Sequence, residues 1–351
     1  MDNNRLHYID IVKGIAIILV VMGHTSPPWG IGNFIYQFHM PLFFVLSGFF
    51  YQDKYEIRPL RFILKRLKRL YIPFVQYGIL FLFLYMIIHY AVEGDTGYSL
   101  LGVVKDILII SCGLGGVSWA GAFWFLRALF LVSLIFLCIR MIIHKVFRDN
   151  RITDYLTFFP VTLILLLGYK IQFPYNISSS FVALFFYFAG YLLAKNRDII
   201  KMNFWIAFAS FIIVVCCSFF NSPDLAYNKY NSLFLFVLSG LCGTYMIMYI
   251  SFKIKGNRFL EHIGQNSITI MIFHFFSFVF INLIIVLWYA LPVQNVLAYP
   301  CIKNYPYWWI LYSFAGVFIP LVFNKIIIGA KRKLPQFLFL PYWFEKINIQ
   351  L

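Results

Sequence analysis

The stretch NSITIMIFHFFSFVFINLIIVLWYA, residues 266–290, decides the fold class. Its only histidine or charged residue is His274, and most of the other side chains are apolar. A helix needs about 20 predominantly apolar residues to cross the hydrocarbon core of a bilayer. Because lipid offers the backbone no hydrogen-bond partners, a crossing segment must satisfy its own N–H and C=O groups as a helix. The stretch therefore predicts a transmembrane α-helix.

Nine more apolar segments accompany this one. Together they predict ten spans, at residues 8–26, 34–51, 70–92, 118–142, 154–171, 178–195, 203–221, 232–252, 266–290 and 306–328. The chain is 62% apolar and 12% charged, against about 45–50% and 25% in soluble domains. We expect an all-α integral membrane protein, one bundle of about ten transmembrane helices over residues 1–351 without an appended soluble domain. The apolar stretch 100–112 is too short to span and is expected to be interfacial or re-entrant.

Charge patterning predicts the orientation. If the N-terminus is cytoplasmic, the cytoplasmic loops hold 23 Lys and Arg residues and the outer loops hold 4. The positive-inside rule therefore favours cytoplasmic N- and C-termini. The net charge of +16 is distributed over short loops between apolar segments, so the expected partner is the lipid bilayer and not nucleic acid. The six cysteines lack metal-binding spacing, and no metal is expected.

Ionisable side chains within spans are costly, about 2.5–3.5 kcal/mol each near the bilayer centre, and so are candidates for function. Six of those within or at the edge of a predicted span are selected as candidates: Asp10, Lys13, His24, His39, Arg127 and His274. On a helix, Lys13 and His24 lie on one face, about 20° apart and separated by about 16 Å along the axis. Asp10 shares this face, but it is too far along the axis to orient His24. Its natural partner is Lys13, at i,i+3.

Each of these residues also has a purely structural interpretation. Asp10 and Lys13 can form an ion pair and nothing more, and a membrane histidine can be a hydrogen-bonded core residue. Arg127 can brace helices by binding backbone carbonyls. The sequence leaves these alternatives open.

Three further features concern the candidate site. His39 is predicted at a depth similar to that of His24, and two imidazoles suit proton transfer to or from a hydroxyl because they titrate near neutrality. The small residues Ser47 and Gly48 allow close helix approach. The basic run KRLKR, residues 65–69, either anchors the chain at the cytoplasmic surface or forms a phosphate-binding rim, since Arg matches phosphate geometry.

With these motifs, the chain resembles the membrane acyltransferase 3 family, and most of all its fucose 4-O-acetylase-like branch. The opening YIDIVKG of residues 8–14 and VMGH of residues 21–24 match the family's spacing of a basic residue, ten residues and a histidine. The matching continues in order with residues 38–48, Arg66 and Arg69, WFL at 124–126, and the helix from Asn266-Ser267 to His274. Many members carry Arg where this chain has Lys13.

The resemblance implies a bacterial inner-membrane O-acyltransferase. Such an enzyme takes acetyl from cytoplasmic acetyl-CoA and passes it to a hydroxyl of a cell-envelope or secreted glycan, often lipid-linked. His24 would be catalytic, as a base or as an acetyl carrier, and Lys13 would help to hold the CoA donor. Further candidates are His39 and Asp10 for catalysis, Arg66, Arg69 and Arg127 for donor binding, and His274 and Ser267 for substrate binding.

A different class of function is also compatible with membrane histidines. A transporter or flippase could use them for proton coupling, and broken helices with an inverted repeat would favour it. The sequence shows neither feature clearly. A structural membrane subunit is a weaker third alternative, because it would not need a stripe of ionisable groups.

Overall fold

The computed structural model describes residues 7–115, 118–147, 150–196, 201–254, 256–303 and 305–333. These residues form helices joined by loops, and the part of the chain so described contains no β-strand. Its one β-bridge pairs Asp224 with Lys229. The expectation of an all-α protein is therefore confirmed.

The α-helices occupy nearly every predicted apolar segment. They are α1 (His7–Gly23), α2 (Trp29–Tyr36), α3 (His39–Phe49), α4 (Lys54–Ile57), α5 (Pro59–Arg66), α6 (Ile72–Glu93), α7 (Leu100–Ser111), α8 (Trp124–Val146), α9 (Asn150–Lys170), α10 (Ile177–Lys195), α11 (Phe204–Phe220), α12 (Leu233–Lys253), α13 (Arg258–Gln265), α14 (Ser267–Trp288) and α15 (Trp309–Lys333). A π-helical turn, Leu67–Tyr71, joins α5 to α6, and short 3-10 turns lie at Ser118–Phe123, Val293–Leu297 and Pro306–Trp308.

Seven helical stretches among the described residues are long and apolar enough to cross a membrane. They are Pro59–Glu93, Trp119–Val146, Ile152–Lys170, Ile177–Lys195, Leu233–Lys253, Ser267–Trp288 and Trp309–Ile326. The other three predicted spans correspond to α1, α3 and α11, which have 17, 11 and 17 residues. The chain is thus a multi-pass membrane protein, while the count of ten and the orientation stay predictions.

Glycines bring two helix pairs into backbone contact at the centre of the bundle. A Cβ added to Gly48 of α3 would lie 1.8 Å from the Tyr187 carbonyl oxygen of α10, and one added to Gly190 would lie 1.9 Å from that of Val45. Gly264 of α13 approaches the backbone of α1 equally closely. Side chains would separate these helices, so glycine is required at both crossings. The close approach predicted from residues 47 and 48 is confirmed.

A buried arginine joins the helix ends near α5. Arg140 of α8 has no exposed side-chain surface and donates hydrogen bonds to Glu56 (2.8 Å) and Asp154 (2.7 Å). Lys195 of α10 binds the other oxygen of Asp154 at 2.7 Å. These ion pairs connect α4, α8, α9 and α10. They therefore support the position of the segment that carries Arg66.

Candidate active site

Two cavities meet at the imidazole of His24. The first, here called the inner cavity, has a volume of about 220 Å³ and extends from Lys13 to His24. The second, the outer cavity, has about 500 Å³ and lies beyond the end of α1. Met40 and Trp124 also line both. The imidazole is therefore accessible from two separate spaces.

The inner cavity is cationic at the end away from His24. Lys13 from α1, Arg66 from the end of α5 and Arg69 from the π-helical turn all line it. These residues are distant in sequence, and the fold gathers them around one opening. Isolated π-helical turns are frequent at functional sites, because they alter the side-chain register of a helix.

Two of these cations have specific partners. Lys13 Nζ lies 3.3 Å from the carboxylate of Asp10, which is the predicted i,i+3 ion pair, and 5.3 Å from the ring centroid of Phe50. The guanidinium of Arg66 donates to Tyr187 Oη (3.0 Å) and Ser47 Oγ (3.3 Å). These contacts fix both cationic groups at the cavity wall. The Asp10 carboxylate belongs to this end of the site and is remote from His24, as the helix geometry predicts.

Apolar side chains line the middle of the inner cavity. They come from α1, α3, α8 and α14: Ile17, Val20, Phe43, Leu46, Phe125, Leu126, Leu129, Ile268 and Met271. Ser267, at the first position of α14, is one of the few hydroxyl groups along it. A ligand that fits has an anionic end and a slender, less polar arm.

His24 packs in a group of aromatic rings. Its ring centroid lies 5.4 Å from that of His274, nearly parallel at 23°, and 4.8 Å from that of Phe275. Neither of its ring nitrogens has a hydrogen-bond partner within the described residues. The structure thus holds the imidazole by packing and leaves both nitrogens available for substrate.

The tautomers of His39 and His274, the other two histidines of the candidate site, can be assigned. His39 Nδ1 lies 2.9 Å from the Ile35 carbonyl oxygen, and His274 Nδ1 lies 2.8 Å from that of Met271. A carbonyl oxygen only accepts, so Nδ1 carries the proton in each neutral ring and Nε2 is left as an acceptor. His274 Nε2 is buried without a partner in the described structure. His39 lines the outer cavity, whereas His274 supports His24 from behind and lines neither.

The outer cavity has a different lining. Its polar groups are Ser26, Tyr36, His39, Asn176, Asp224, Tyr227, Tyr299 and Lys303. Tyr299 also approaches Gly121 so closely that a Cβ there would lie 1.8 Å from its hydroxyl oxygen. Hydroxyl, amide and carboxylate groups thus surround the second approach to His24.

Asp224 is the one carboxylate in the lining of the outer cavity. Its Oδ1 accepts hydrogen bonds from the backbone amides of Ala226 (3.0 Å) and Tyr227 (3.4 Å), and its backbone pairs with that of Lys229. Burial raises the pKa of the Asp224 carboxyl, against the opposing effects of the two amides and of the Lys229 charge. The carboxylate is therefore held rigidly where water solvates it poorly.

Arg127 does not line the inner cavity with the other three cations. One turn into α8, its guanidinium donates to the Gly113 carbonyl oxygen at 2.6 Å and to the side-chain oxygen of Asn176. The amide nitrogen of Asn176 in turn donates to the Ala226 carbonyl oxygen at 2.5 Å. Arg127 is thus connected, through Asn176, to the loop that carries Asp224.

The structure brings together most of the residues that the sequence selects. Lys13, His24, Arg66, Arg69 and Ser267 share the inner cavity, with Asp10 behind Lys13 and His274 behind His24. His39 lies on the other side of His24, in the outer cavity.

Asp224, Asn176 and Arg140 are not among the residues that the sequence indicated as candidates. A signal for Asp224 was present, because NSPDLAYNKYN, residues 221–231, is a polar and aromatic loop on a side of the bundle that carries few charges. Arg140 lies near the end of a predicted span, residues 118–142, and nothing local in the sequence marks it as buried.

The comparisons with known proteins agree with these motifs. A family model for the acyltransferase domain matches residues 6–325. The nodulation protein NolL of Sinorhizobium fredii (strain NBRC 101917 / NGR234) is 27% identical over 240 residues, which are 65% of this chain and 61% of NolL. The chain thus covers less than two thirds of that relative's length. No solved structure gives a significant match.

Proposed function

This chain belongs to the acyltransferase 3 family, and from that premise we propose that it is a membrane O-acetyltransferase. The acetyl group would come from acetyl-CoA in the cytoplasm and pass to a hydroxyl of a cell-envelope or secreted glycan, free or lipid-linked. The membrane would be the bacterial inner membrane. The single observation that supports this most is that a cation-ended cavity and a polar cavity reach the same imidazole.

The inner cavity fits the donor. CoA is an anion with a long, thin pantetheine arm, and three cations at one end of an apolar channel match that shape and charge. Arg66 and Arg69 can bind phosphate oxygens in a forked geometry, whereas Lys13 acts as a point charge. The arm would follow the apolar wall past Ser267. The axial distance of about 16 Å from Lys13 to His24 is comparable with the length of that arm.

His24 would carry out the proton transfer. In the direct reaction, an imidazole nitrogen takes the proton of the acceptor hydroxyl while the oxygen attacks the thioester carbonyl carbon. The tetrahedral intermediate then collapses, the C–S bond breaks, and the CoA thiolate takes the proton from the imidazolium. General base catalysis of this kind contributes about 10²- to 10⁴-fold to a rate. In the alternative route, the imidazole nitrogen attacks the thioester carbonyl carbon first, the C–S bond breaks, and the CoA thiolate takes the proton of the acetylated ring. The acceptor oxygen then attacks the acetyl carbon, and the released ring nitrogen takes the hydroxyl proton.

The neighbouring residues would assist in defined ways. The rings of His274 and Phe275 would fix the orientation of His24, and His274 would act through His24 because it lines neither cavity. His39 faces the acceptor side and is the second candidate for the base. Asp10 would act through Lys13, because it forms an ion pair with Lys13 and so positions its ammonium group.

The test is acetyl transfer by purified protein in lipid nanodiscs. With labelled acetyl-CoA, the wild type should release CoA and His24→Ala should lose at least about 100-fold in rate while still binding CoA. His262→Ala is the matched control, because His262 is an exposed histidine of α13 outside both cavities. Equal rates for His24→Ala and wild type would exclude His24 and make His39 the next candidate. Label retained on acid-quenched protein would indicate the acetyl-carrier route.

Transport is the alternative that the sequence left open. Membership of an acyltransferase family does not favour it, since a proton-coupled carrier needs no donor cavity with cations at one end. If the wild-type protein moves a labelled saccharide across a vesicle membrane without consuming acetyl-CoA, transport becomes the favoured function.

A further inference from the structure

The outer cavity has no assigned ligand, although it reaches the proposed base. We propose that it is the binding site for the saccharide acceptor, in which the Asp224 carboxylate accepts hydrogen bonds from sugar hydroxyls next to the one that is acetylated. This inference rests on the proposed function and adds the site, the residue that recognises the acceptor, and the residues that hold it in place.

The size and lining of the cavity fit a small polyhydroxylated molecule. Its volume of about 500 Å³ is within the usual range of about 300–1,000 Å³ for ligand pockets. Its tyrosines, Tyr36, Tyr227 and Tyr299, provide both flat apolar faces and hydroxyl groups, a combination that suits the apolar and polar faces of a sugar ring. The inner cavity has mostly aliphatic and phenylalanine walls and offers a sugar few partners.

Asp224 has the properties of a hydroxyl-binding group. Two backbone amides fix its Oδ1, and it forms no ion pair with a cation of the described chain. A partly buried carboxylate without a salt bridge in the described chain needs hydrogen-bond donors to offset its lost hydration, which the Lys229 charge offsets only in part. A sugar supplies neutral hydroxyl donors, and bonds to a charged acceptor are the stronger kind.

The loop that presents Asp224 is fastened to the membrane helices. Arg127 of α8 binds Asn176, and Asn176 binds the Ala226 carbonyl oxygen two residues beyond Asp224. Ser179 of α10 donates to the same carbonyl oxygen at 3.3 Å. Asn228 adds a bond to the Gly168 carbonyl oxygen at 2.8 Å. Such anchoring preorganises a binding residue, and it gives the buried charge of Arg127 a role on the acceptor side.

The experiment uses cells that make the protein naturally, because they also make its acceptor. The gene is deleted, and the cells are complemented with wild type, Asp224→Asn or Asp95→Asn. Asp95 is the matched control, because it is an exposed acidic residue that lines neither cavity. Ester-linked acetate is released from envelope and secreted glycans by mild alkali and quantified. The affinity of each purified protein for CoA is measured by calorimetry.

The site predicts a selective loss. Asp224→Asn should lower glycan acetate about tenfold or more, because the charged acceptor of several hydroxyl bonds is lost, and Asp95→Asn should stay within about twofold of wild type. CoA affinity in Asp224→Asn should also stay within about twofold. Wild-type acetate in Asp224→Asn would overturn the acceptor site and leave the proposed function standing. A parallel loss of CoA affinity would overturn it too, because the residue would then affect the whole fold or the donor.

The gene deletion separates a failure of the acceptor site from a failure of the proposed function. If deletion of the gene leaves glycan acetate unchanged, the proposed function fails, and the acceptor site fails with it. If deletion removes the acetate and Asp224→Asn does not restore it, both are supported.

Discussion

The inner and outer cavities share His24, Met40 and Trp124, but their polar linings differ. The inner one has apolar walls and three cations at its far end, whereas the outer one has tyrosine hydroxyls, an amide, a single carboxylate, His39 and one cation, Lys303. The difference shows that the fold gives the two cavities different polar groups. Three cations line the inner cavity, where an anionic donor would bind, whereas mostly neutral hydrogen-bonding groups, with one carboxylate and one lysine, line the outer cavity, where a hydroxylated acceptor would bind.

Two arginines of α8, the buried Arg140 and the half-buried Arg127, have different partners. Arg140 is surrounded by carboxylates and joins helix ends, so it is a structural ion-pair residue. Arg127 binds only neutral oxygens among the described residues, a backbone carbonyl and the side chain of Asn176. Its charge is therefore balanced by dipoles, and Asn176 links it to the outer cavity and not to the cationic end of the inner one.

The largest expected effect is the all-or-none labelling pattern that reports the orientation of the chain in the membrane. In a variant with all six cysteines replaced by serine, Lys303→Cys at the outer cavity should react in intact cells with a membrane-impermeant maleimide. Lys65→Cys, near the inner cavity's cationic end, should react only after permeabilisation. The reason is the excess of basic residues in the loops on the Lys65 side. The reverse pattern would exchange the donor and acceptor assignments of the two cavities.

The next effect concerns the donor end. Lys13→Ala should weaken CoA binding about tenfold to a hundredfold, because one charge-assisted contact contributes about 1.5–3 kcal/mol. Lys13→Arg should largely retain affinity, since it keeps the charge and many relatives of the resembled family carry Arg at that position. Calorimetric titration with CoA measures both. If Lys13→Ala leaves the affinity for CoA unchanged, Lys13 and Asp10 form an ion pair with a structural role only.

Arg127 distinguishes the two cavities most directly. The sequence placed it with the donor-binding cations, whereas its contacts predict an acceptor-side effect. We expect Arg127→Ala to lower glycan acetate in complemented cells about tenfold and to leave the CoA dissociation constant within about twofold. Arg127→Lys should recover part of the loss, because lysine keeps the charge without the fork that binds two oxygens. A rise in the CoA dissociation constant would instead return Arg127 to the donor route.

The smallest effect is at the rim of the inner cavity. Arg69 is exposed, so Arg69→Gln should weaken CoA binding only about threefold at low salt, and the difference should disappear near 0.5 M salt. Arg61→Gln is the control, since Arg61 is an exposed arginine of α5 that does not line the cavity. An effect of Arg69→Gln that persists in high salt would place this side chain in a direct, desolvated phosphate contact.

The parts of the site that lie on one helix could be predicted from the sequence. The face shared by Asp10, Lys13 and His24 follows from the 3.6-residue period, and the ion pair of the first two is present at 3.3 Å. The small residues at 47 and 48 also indicated a close helix crossing before the crossing was known.

The parts of the site that depend on several helices could not be predicted from the sequence. Which histidines would meet was open, and only the packing of α14 on α1 brings His274, rather than His39, into ring contact with His24. Arg127 looked like a donor ligand because its charge was known and its partner was not. Asp224 looked like an ordinary loop residue until the fold placed its loop beside the end of α1.

The sequence by itself determined an all-helical membrane protein, because lipid leaves each apolar segment no other way to satisfy its backbone. It also determined the axial order of a cation and a base on α1, because helix geometry is local. Only the tertiary structure decided that this helix lines two cavities with different polar groups and that Arg127 binds Asn176, which lines the outer one. Those features arise from contacts between residues such as 127 and 176 or 24 and 274, which only the packing of the bundle brings together.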